Sequence, residues 1–447
     1  MNQPHQSSRS LLRILGLAFG LAVVVGNTIG AGILRTPGDI AGLLPMPAAF
    51  LGIWVLGGLY ALLGANALSE LGTMLPRSGG QFVYARRAFG DYAGFVVGWM
   101  DWVSTAASVS AISIVIGESI AMVVGWQQST ASPIAMAVVA VFTILLLRGT
   151  RLGDQLQRIT SFTKAVALLV FVAVCFAFAG RAHAPAAAPA AAVTLTGFTA
   201  LLLAAQSVIY TYDGWDGAIY FSEELDDPGR QIPQSMFYGL LSVAVIYLLI
   251  NVAFIVALPT RALAGSPLAA ATVAEAIFGA RGDLLVRIVV IAALPSAVNA
   301  NLLMASRVLY SVSREGLGLP IATRLNAGGT PTVALTLGGF VALAFLATGT
   351  FGSIIAIAAF FFVADYTLSF IAVFVLRARE PNANRPYRAV GHPWTTGFVL
   401  LGSLAFLTSA VISDRRNSLY ALGILLASYP VYRLSHRSSP TPAPARP

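Results

Sequence analysis

Val23-Val-Val-Gly-Asn-Thr-Ile-Gly-Ala-Gly-Ile-Leu34 lies inside an apolar run from Ile14 to about Leu44, long enough to cross a bilayer, yet it places Gly26, Gly30 and Gly32 in the middle of that run. Glycine weakens a helix there. A spanning segment must satisfy its own backbone, so a break at membrane depth persists only where protein or a water-filled cavity surrounds it. Beyond the break, a second half-helix would start with free N–H groups and a positive dipole end, which suit a carboxylate. Unwound carbonyls would suit an ammonium or another cation, so a zwitterion could use both. The alternative is that the glycines only allow close helix packing, as small-xxx-small patterns do.

The rest of the chain has the composition of a membrane protein. Of 447 residues, 57% are hydrophobic and 10% charged, against about 25% charged in soluble domains. Twelve apolar segments approach the spanning length of about 20 residues: 14–43, 48–75, 90–125, 133–148, 158–180, 197–222, 236–258, 284–312, 332–350, 353–377, 395–413 and 417–433. With both ends inside, 19 arginines fall on the cytoplasmic side and 7 outside, the bias expected of an even number of spans. The net charge of +9 follows from this bias and does not indicate nucleic acid. Arg9 and Arg13 before an apolar run resemble a signal peptide, but the run continues past Gly32, and a retained first span is expected.

These segments divide the chain into a cytoplasmic tail 1–13, five spans over 14–180, an external Ala/Pro connector 181–196, five spans over 197–377, two more over 378–437, and a disordered tail 438–447. Cys175 lies within the fifth span and permits no intramolecular disulfide. Histidines 5, 183, 392 and 436 fall in loops or tails, so no intramembrane histidine offers itself to a metal. No cofactor and no metal site are expected.

Span six repeats the anomaly of span one. After apolar Leu201–Tyr210 comes Thr211-Tyr-Asp-Gly-Trp-Asp-Gly217, whose Tyr212, Asp213, Gly214, Trp215 and Asp216 cannot form a lipid-facing helix. Intramembrane ionisable residues are functional hypotheses by default. Breaks in the first and sixth segments, each opening a run of five spans, point to an inverted-repeat transporter with its site at the midplane. Lys164, the only lysine, sits within span five. It reads either as a switchable buried cation or as an anchor snorkelling toward the cytoplasmic face. Span eight carries Pro295-Ser-Ala-Val-Asn-Ala-Asn301, whose Ser296, Asn299 and Asn301 face an interior. Asp101 and Glu118 in span three read as structural, and Asp365 in span ten as either structural or functional. Pro76–Gly90 reads as an ordinary basic loop rather than a gate-side segment, and the acids of Glu223–Asp227 as solvated.

Together these residues resemble the amino acid–polyamine–organocation superfamily of permeases, closest to its L-type amino acid transporter branch. Gly26–Leu34 resembles the first-span motif and Pro76–Gly90 the loop after span two. Tyr212–Asp216 with Glu223-Glu224, Asp227-Pro228, Arg230 and Pro233 is similar to span six and its loop. Ser306-Arg307, Arg314-Glu-Gly316 and Leu319-Pro320 are similar to the end of span eight. The resemblance implies an all-α membrane fold of twelve helices, with a five-plus-five inverted-repeat core of the LeuT type, discontinuous helices one and six, and two added C-terminal helices. It implies that backbone N–H groups near Gly30, Ala31 and Gly32 hold a substrate carboxylate. Carbonyls near Thr28, Tyr210 and Asp213 would hold the α-amine; Ile29 lies within the same break. Tyr210 occupies the aromatic gate position. Lys164 stands where sodium-coupled relatives hold sodium, implying sodium-independent transport of amino acids by alternating access, as an exchanger or a proton-coupled symporter.

Three departures qualify this. Asp216 stands where the branch usually has asparagine, which would suit cationic side chains or a plain amine, so an amine transporter of the same fold stays as an alternative. Asn301 stands where a small residue facing the lysine is expected. The loop 124–132 lacks the cysteine by which the eukaryotic branch joins a glycoprotein, so no disulfide-linked partner is expected. A non-transporting amino acid receptor is the rival from another class. No nucleophile–base pair suggests an enzyme.

Overall fold

The computed structural model describes residues 11–182, 197–266, 268–348 and 351–437. The first ten residues, most of the expected connector 181–196 and the tail 438–447 lie outside the described residues. The chain is all-helical, with no β-strand among the described residues and only two isolated bridges. Among the described residues, eight helices are long and apolar enough to cross a membrane, or nine when the bent pair at the N-terminal end counts as one, as a multi-pass membrane protein requires.

That bent pair is α1 (Leu17–Thr28) and α2 (Gly32–Leu43), which meet at 43°. Ile29 is extended between them, with φ −77° and ψ 92°. Then follow α3 (Pro47–Met74), α4 (Gln81–Phe89), α5 (Asp91–Val124), α6 (Ala131–Leu146) and α7 (Thr150–Phe178). In the second half, α8 (Gly197–Thr211) ends in turns, and the chain resumes as a 3-10 stretch, Gly217–Phe221, before α9 (Pro228–Ala257). Short α10 (Thr260–Leu263) and α11 (Ala269–Phe278) lead to α12 (Gly282–Ala293) and α13 (Pro295–Arg314). The chain closes with α14 (Thr332–Thr348), α15 (Phe351–Arg379), α16 (Trp394–Ser413) and α17 (Arg415–Arg437).

In lipid, helices associate through close packing rather than hydrophobic drive, so small residues sit where backbones meet. Gly64 of α3 shows this: a Cβ there would lie 2.9 Å from the Trp215 ring. Gly26 is another such position, because a Cβ would run into the side chains of Gln157 and Ser161 on α7. Gly30 differs, with nothing within 4 Å of a Cβ. Close packing therefore accounts for Gly26 and leaves Gly30 unexplained by it.

Two expectations are corrected. The segment Pro76–Gly90 is not an ordinary loop: α4 buries Gln81, Phe82, Val83, Tyr84, Ala85 and Ala88 against α5 and α15, since its apolar face has two helices to dock on. Among the acids of Glu223–Asp227, Asp226 and Asp227 are exposed as expected, whereas Glu223 is half-buried and Glu224 buried. Each of these two glutamates meets an arginine of α13: Glu223 pairs with Arg314 at 2.5 and 2.7 Å, and Glu224 with Arg307 at 2.9 Å through both oxygens. Just before α1, Leu15 bridges Leu225, with Ile14 and Leu15 N–H groups donating to the Glu224 carbonyl and Asp226 N–H donating to Leu15.

Candidate functional site

The two broken segments face each other across a cavity of about 410 Å³, a size within the usual small-molecule range of about 300–1,000 Å³. From the first break it is lined by Asn27, Thr28, Gly30, Ala31 and Gly32. Tyr210, Thr211, Asp213 and Gly214 line it from the second, and Ser108 and Asn301 from α5 and α13. Gly214 has φ +97°, and a Cβ there would sit 3.0 Å from Asn27 Cγ, so both conformation and space call for glycine.

Four expected substrate residues lie behind this wall. Ile29 is buried, and its carbonyl accepts from the Lys164 ammonium. Tyr212 donates its hydroxyl to the Trp54 carbonyl at 3.2 Å. The Trp215 ring stacks on Tyr366 with centroids 5.0 Å apart. Asp216 is buried and accepts from Gln81 Nε2 at 3.0 Å. The unwound turn presents residues 210, 211, 213 and 214 to the cavity and turns 212, 215 and 216 into protein.

Lys164 is fully buried and donates to the Gly26 carbonyl at 2.7 Å as well as to Ile29. These are carbonyls freed by the break, and the ammonium satisfies them where water has no access. It does not snorkel. Around it, Gln157 Nε2 donates to Ala22 O at 3.0 Å, Asn299 Nδ2 donates to Gln157 Oε1 at 2.8 Å, and Ser296 Oγ lies 3.5 Å from Gly26 O. Helices α1, α7 and α13 are thereby joined beside the cavity. Asn301 does not face the lysine. Its longer side chain reaches the break instead, where Nδ2 donates to Asn27 Oδ1 at 2.6 Å, while Asn27 Nδ2 donates to Gly214 O at 3.3 Å.

Sequence reasoning missed Tyr247 of α9. Its hydroxyl lies 2.8 Å from Thr28 O and 2.9 Å from Thr211 O, so one proton serves the last carbonyls of α1 and α8 together. A tyrosine in an apolar span carries no signal of this by itself. The Asn27 side chain was likewise overlooked within a motif read for its glycines.

A profile of the amino acid permease family matches residues 10–427. The chain is similar to the serine/threonine exchanger SteT of Bacillus subtilis, 27% identical over 96% of this chain and 98% of that protein. It is also similar to the b(0,+)-type amino acid transporter 1 of Mus musculus, 26% identical over 91% of this chain and 84% of the relative. A third relative, the Asc-type amino acid transporter 1 of Mus musculus, is 27% identical over 85% of this chain and 73% of its own length. These relatives are transporters, and each match extends over 85% or more of this chain. The chain belongs to the amino acid permease family.

Proposed function

We propose that this protein exchanges α-amino acids across the plasma membrane without sodium, by alternating access of the cavity between its two broken spans. The observation that carries the reading is the pairing of opposite backbone polarities on one cavity: the turn into α2 at Gly30–Gly32 supplies N–H groups, and the ends of α1 and α8 supply carbonyls. A substrate carboxylate would lie on the former. Its ammonium would lie near the carbonyls of Thr28, Tyr210 and Asp213, the Tyr210 ring closing over it. Lys164 occupies the place of a coupling cation, its ammonium on the carbonyls of Gly26 and Ile29.

The finer architecture belongs to the same reading. Counting α1 with α2, α8 with the 3-10 stretch, α12 with α13, and α17 as a span gives twelve crossings, the first ten as two inverted sets of five. Both termini then face the cytoplasm, in keeping with the arginine bias. Cys175 is buried, and the loop after span three lacks cysteine, which supports a protein that works without a disulfide-linked subunit. No catalytic role is proposed.

The test uses the purified protein in sodium-free liposomes, with radiolabelled L-serine outside and unlabelled L-serine, L-leucine, L-arginine or no amino acid inside. Uptake that requires an internal amino acid supports exchange. Uptake into empty vesicles under an inward proton gradient would replace exchange by symport. Absence of uptake of amino acids with uptake of putrescine would turn the reading to amines, and binding without uptake of either to a receptor.

A further inference from the structure

Behind the cavity, α4, α5 and α15 pack against one another, side chains of the turn after α8 and of the 3-10 stretch reach them through hydrogen bonds, and there the structure collects carboxyl groups without cations. Asp101 of α5 is 1% exposed, Asp216 3% and Asp365 of α15 0%. None of the ion pairs among the described residues includes them. The Tyr220 hydroxyl lies 3.0 Å from Asp101 Oδ1 and 3.3 Å from Asp216 Oδ2, and its single proton can serve only one of them at a time. Gln81 Nε2 gives Asp216 a second donor, and Gln81 is itself held by Ser369 Oγ at 2.8 Å. Asp101 Oδ1 also accepts from Thr105 Oγ1 at 3.3 Å.

Asp365 has nothing comparable. Both of its oxygens are buried without a hydrogen-bond partner, as are Asp101 Oδ2 and the hydroxyl of fully buried Tyr84, which lies within electrostatic reach of Asp216. Asp365 in turn lies within electrostatic reach of Asp101, Asp216 and Asp213. A bare carboxylate in such a place carries a desolvation cost of several kcal/mol, and neighbouring carboxyls cannot all ionise. A proton removes both penalties. A metal ion does not suit, because the carboxyl oxygens do not converge as a cage.

We propose that Asp365, with Asp101 and Asp216, forms a buried proton-binding site whose occupancy sets whether the second half of span six can move. The link to the cavity is one residue long. Tyr366 donates to cavity-lining Asp213 at 2.7 Å and stacks on Trp215, so a charge appearing at Asp365 acts on the hydrogen bond that holds the cavity wall. The remaining titratable groups on elements packed against α15 lie elsewhere or are already engaged. Glu70 of α3 pairs with Arg377, Asp91 of α5 with Arg86, and Glu118 of α5 with Arg35. Tyr60 of α3 donates to Val399 O, Arg87 of α4 pairs with Glu380, and Arg379 donates to Ala88 O. Tyr92 of α5 packs on Tyr429 and Tyr432 of α17, whose Tyr420 meets Arg416 and whose arginines lie near its two ends; α16 brings none.

The consequence for movement rests on the transport reading, whereas the chemistry of the site does not, and two measurements separate them. Infrared difference spectra of the intact protein, titrated from acid to alkaline pH, report the carbonyl stretch of a protonated carboxyl. The expected result is a band in the wild-type protein that disappears on raising pH and is absent from Asp365→Asn. In sodium-free liposomes, L-serine exchange is expected to fall by roughly tenfold per pH unit above the titration, to vary less than about twofold in Asp365→Asn, and to regain pH dependence in Asp365→Glu. A wild-type spectrum with no such band overturns the proton site without any variant having to fold. A pH profile unchanged in Asp365→Asn overturns the gating role. Should no amino acid exchange at all, the function proposed above fails while the infrared titration still decides the site.

Discussion

Arg307 and Glu224 meet through both guanidinium and both carboxylate contacts at 2.9 Å, and neither side chain has any solvent exposure. A buried pair of this kind contributes little net stability as a pair, but removing one partner strands a charge. Arg307→Ala is therefore expected to lower unfolding stability by about 3–5 kcal/mol. Melting of the purified protein in detergent checks it, and Arg307→Met should fare no better because Glu224 is still stranded. A melting temperature unchanged by Arg307→Ala would show that the pair is open to water.

Gly26 and Gly30 separate packing from binding. Gly26→Ala drives a methyl into Gln157 and Ser161, with an expected overpacking cost of about 1–3 kcal/mol. Gly30→Ala meets no atom and should melt like the parent. Because its methyl projects into the cavity, it should nevertheless weaken L-serine binding by roughly tenfold, equivalent to about 1.4 kcal/mol. Equal behaviour of the two variants in both assays would remove the distinction.

Lys164→Met keeps much of the length and loses the ammonium. Two charge-assisted hydrogen bonds, each worth roughly 1.5–3 kcal/mol, disappear from the Gly26 and Ile29 carbonyls. Exchange is expected to drop by about tenfold or more, the equivalent of losing a single such bond. Wild-type exchange rates in this variant would leave the lysine without a role in transport.

Tyr247→Phe removes one hydroxyl that serves carbonyls of two breaks. The expected stability loss is about 1–3 kcal/mol, the cost of leaving a buried acceptor unsatisfied. Exchange should fall as well, since Thr28 and Thr211 lose their common reference. Loss of stability with normal exchange would confine Tyr247 to the fold.

Much of this was legible before the structure. The breaks at Ile29–Ala31 and after Thr211 stand out because glycines and acids there contradict a spanning helix, and their juxtaposition follows from their matching order in the chain. Lys164 stands out because a lone ammonium in apolar sequence needs a partner at membrane depth. Other features depend on distant residues and carry no local mark. Glu224 looks like a loop acid until Arg307, eighty-three positions later, reaches it. The segment Gln81–Phe89 looks basic and exposed because Arg86 and Arg87 hide an apolar face whose partners are on α5 and α15. Asn301 was expected to address Lys164, and only the path of the backbone at Asn27 shows that it reaches elsewhere.

The bridge between Leu15 and Leu225 stitches the chain just before the first span to the loop just after the sixth by three backbone hydrogen bonds. The segment leading into α1 is thereby tied to the segment that follows the 3-10 stretch. Because the three donors are backbone N–H groups of Ile14, Leu15 and Asp226, only proline at one of these positions would remove a bond of this tie.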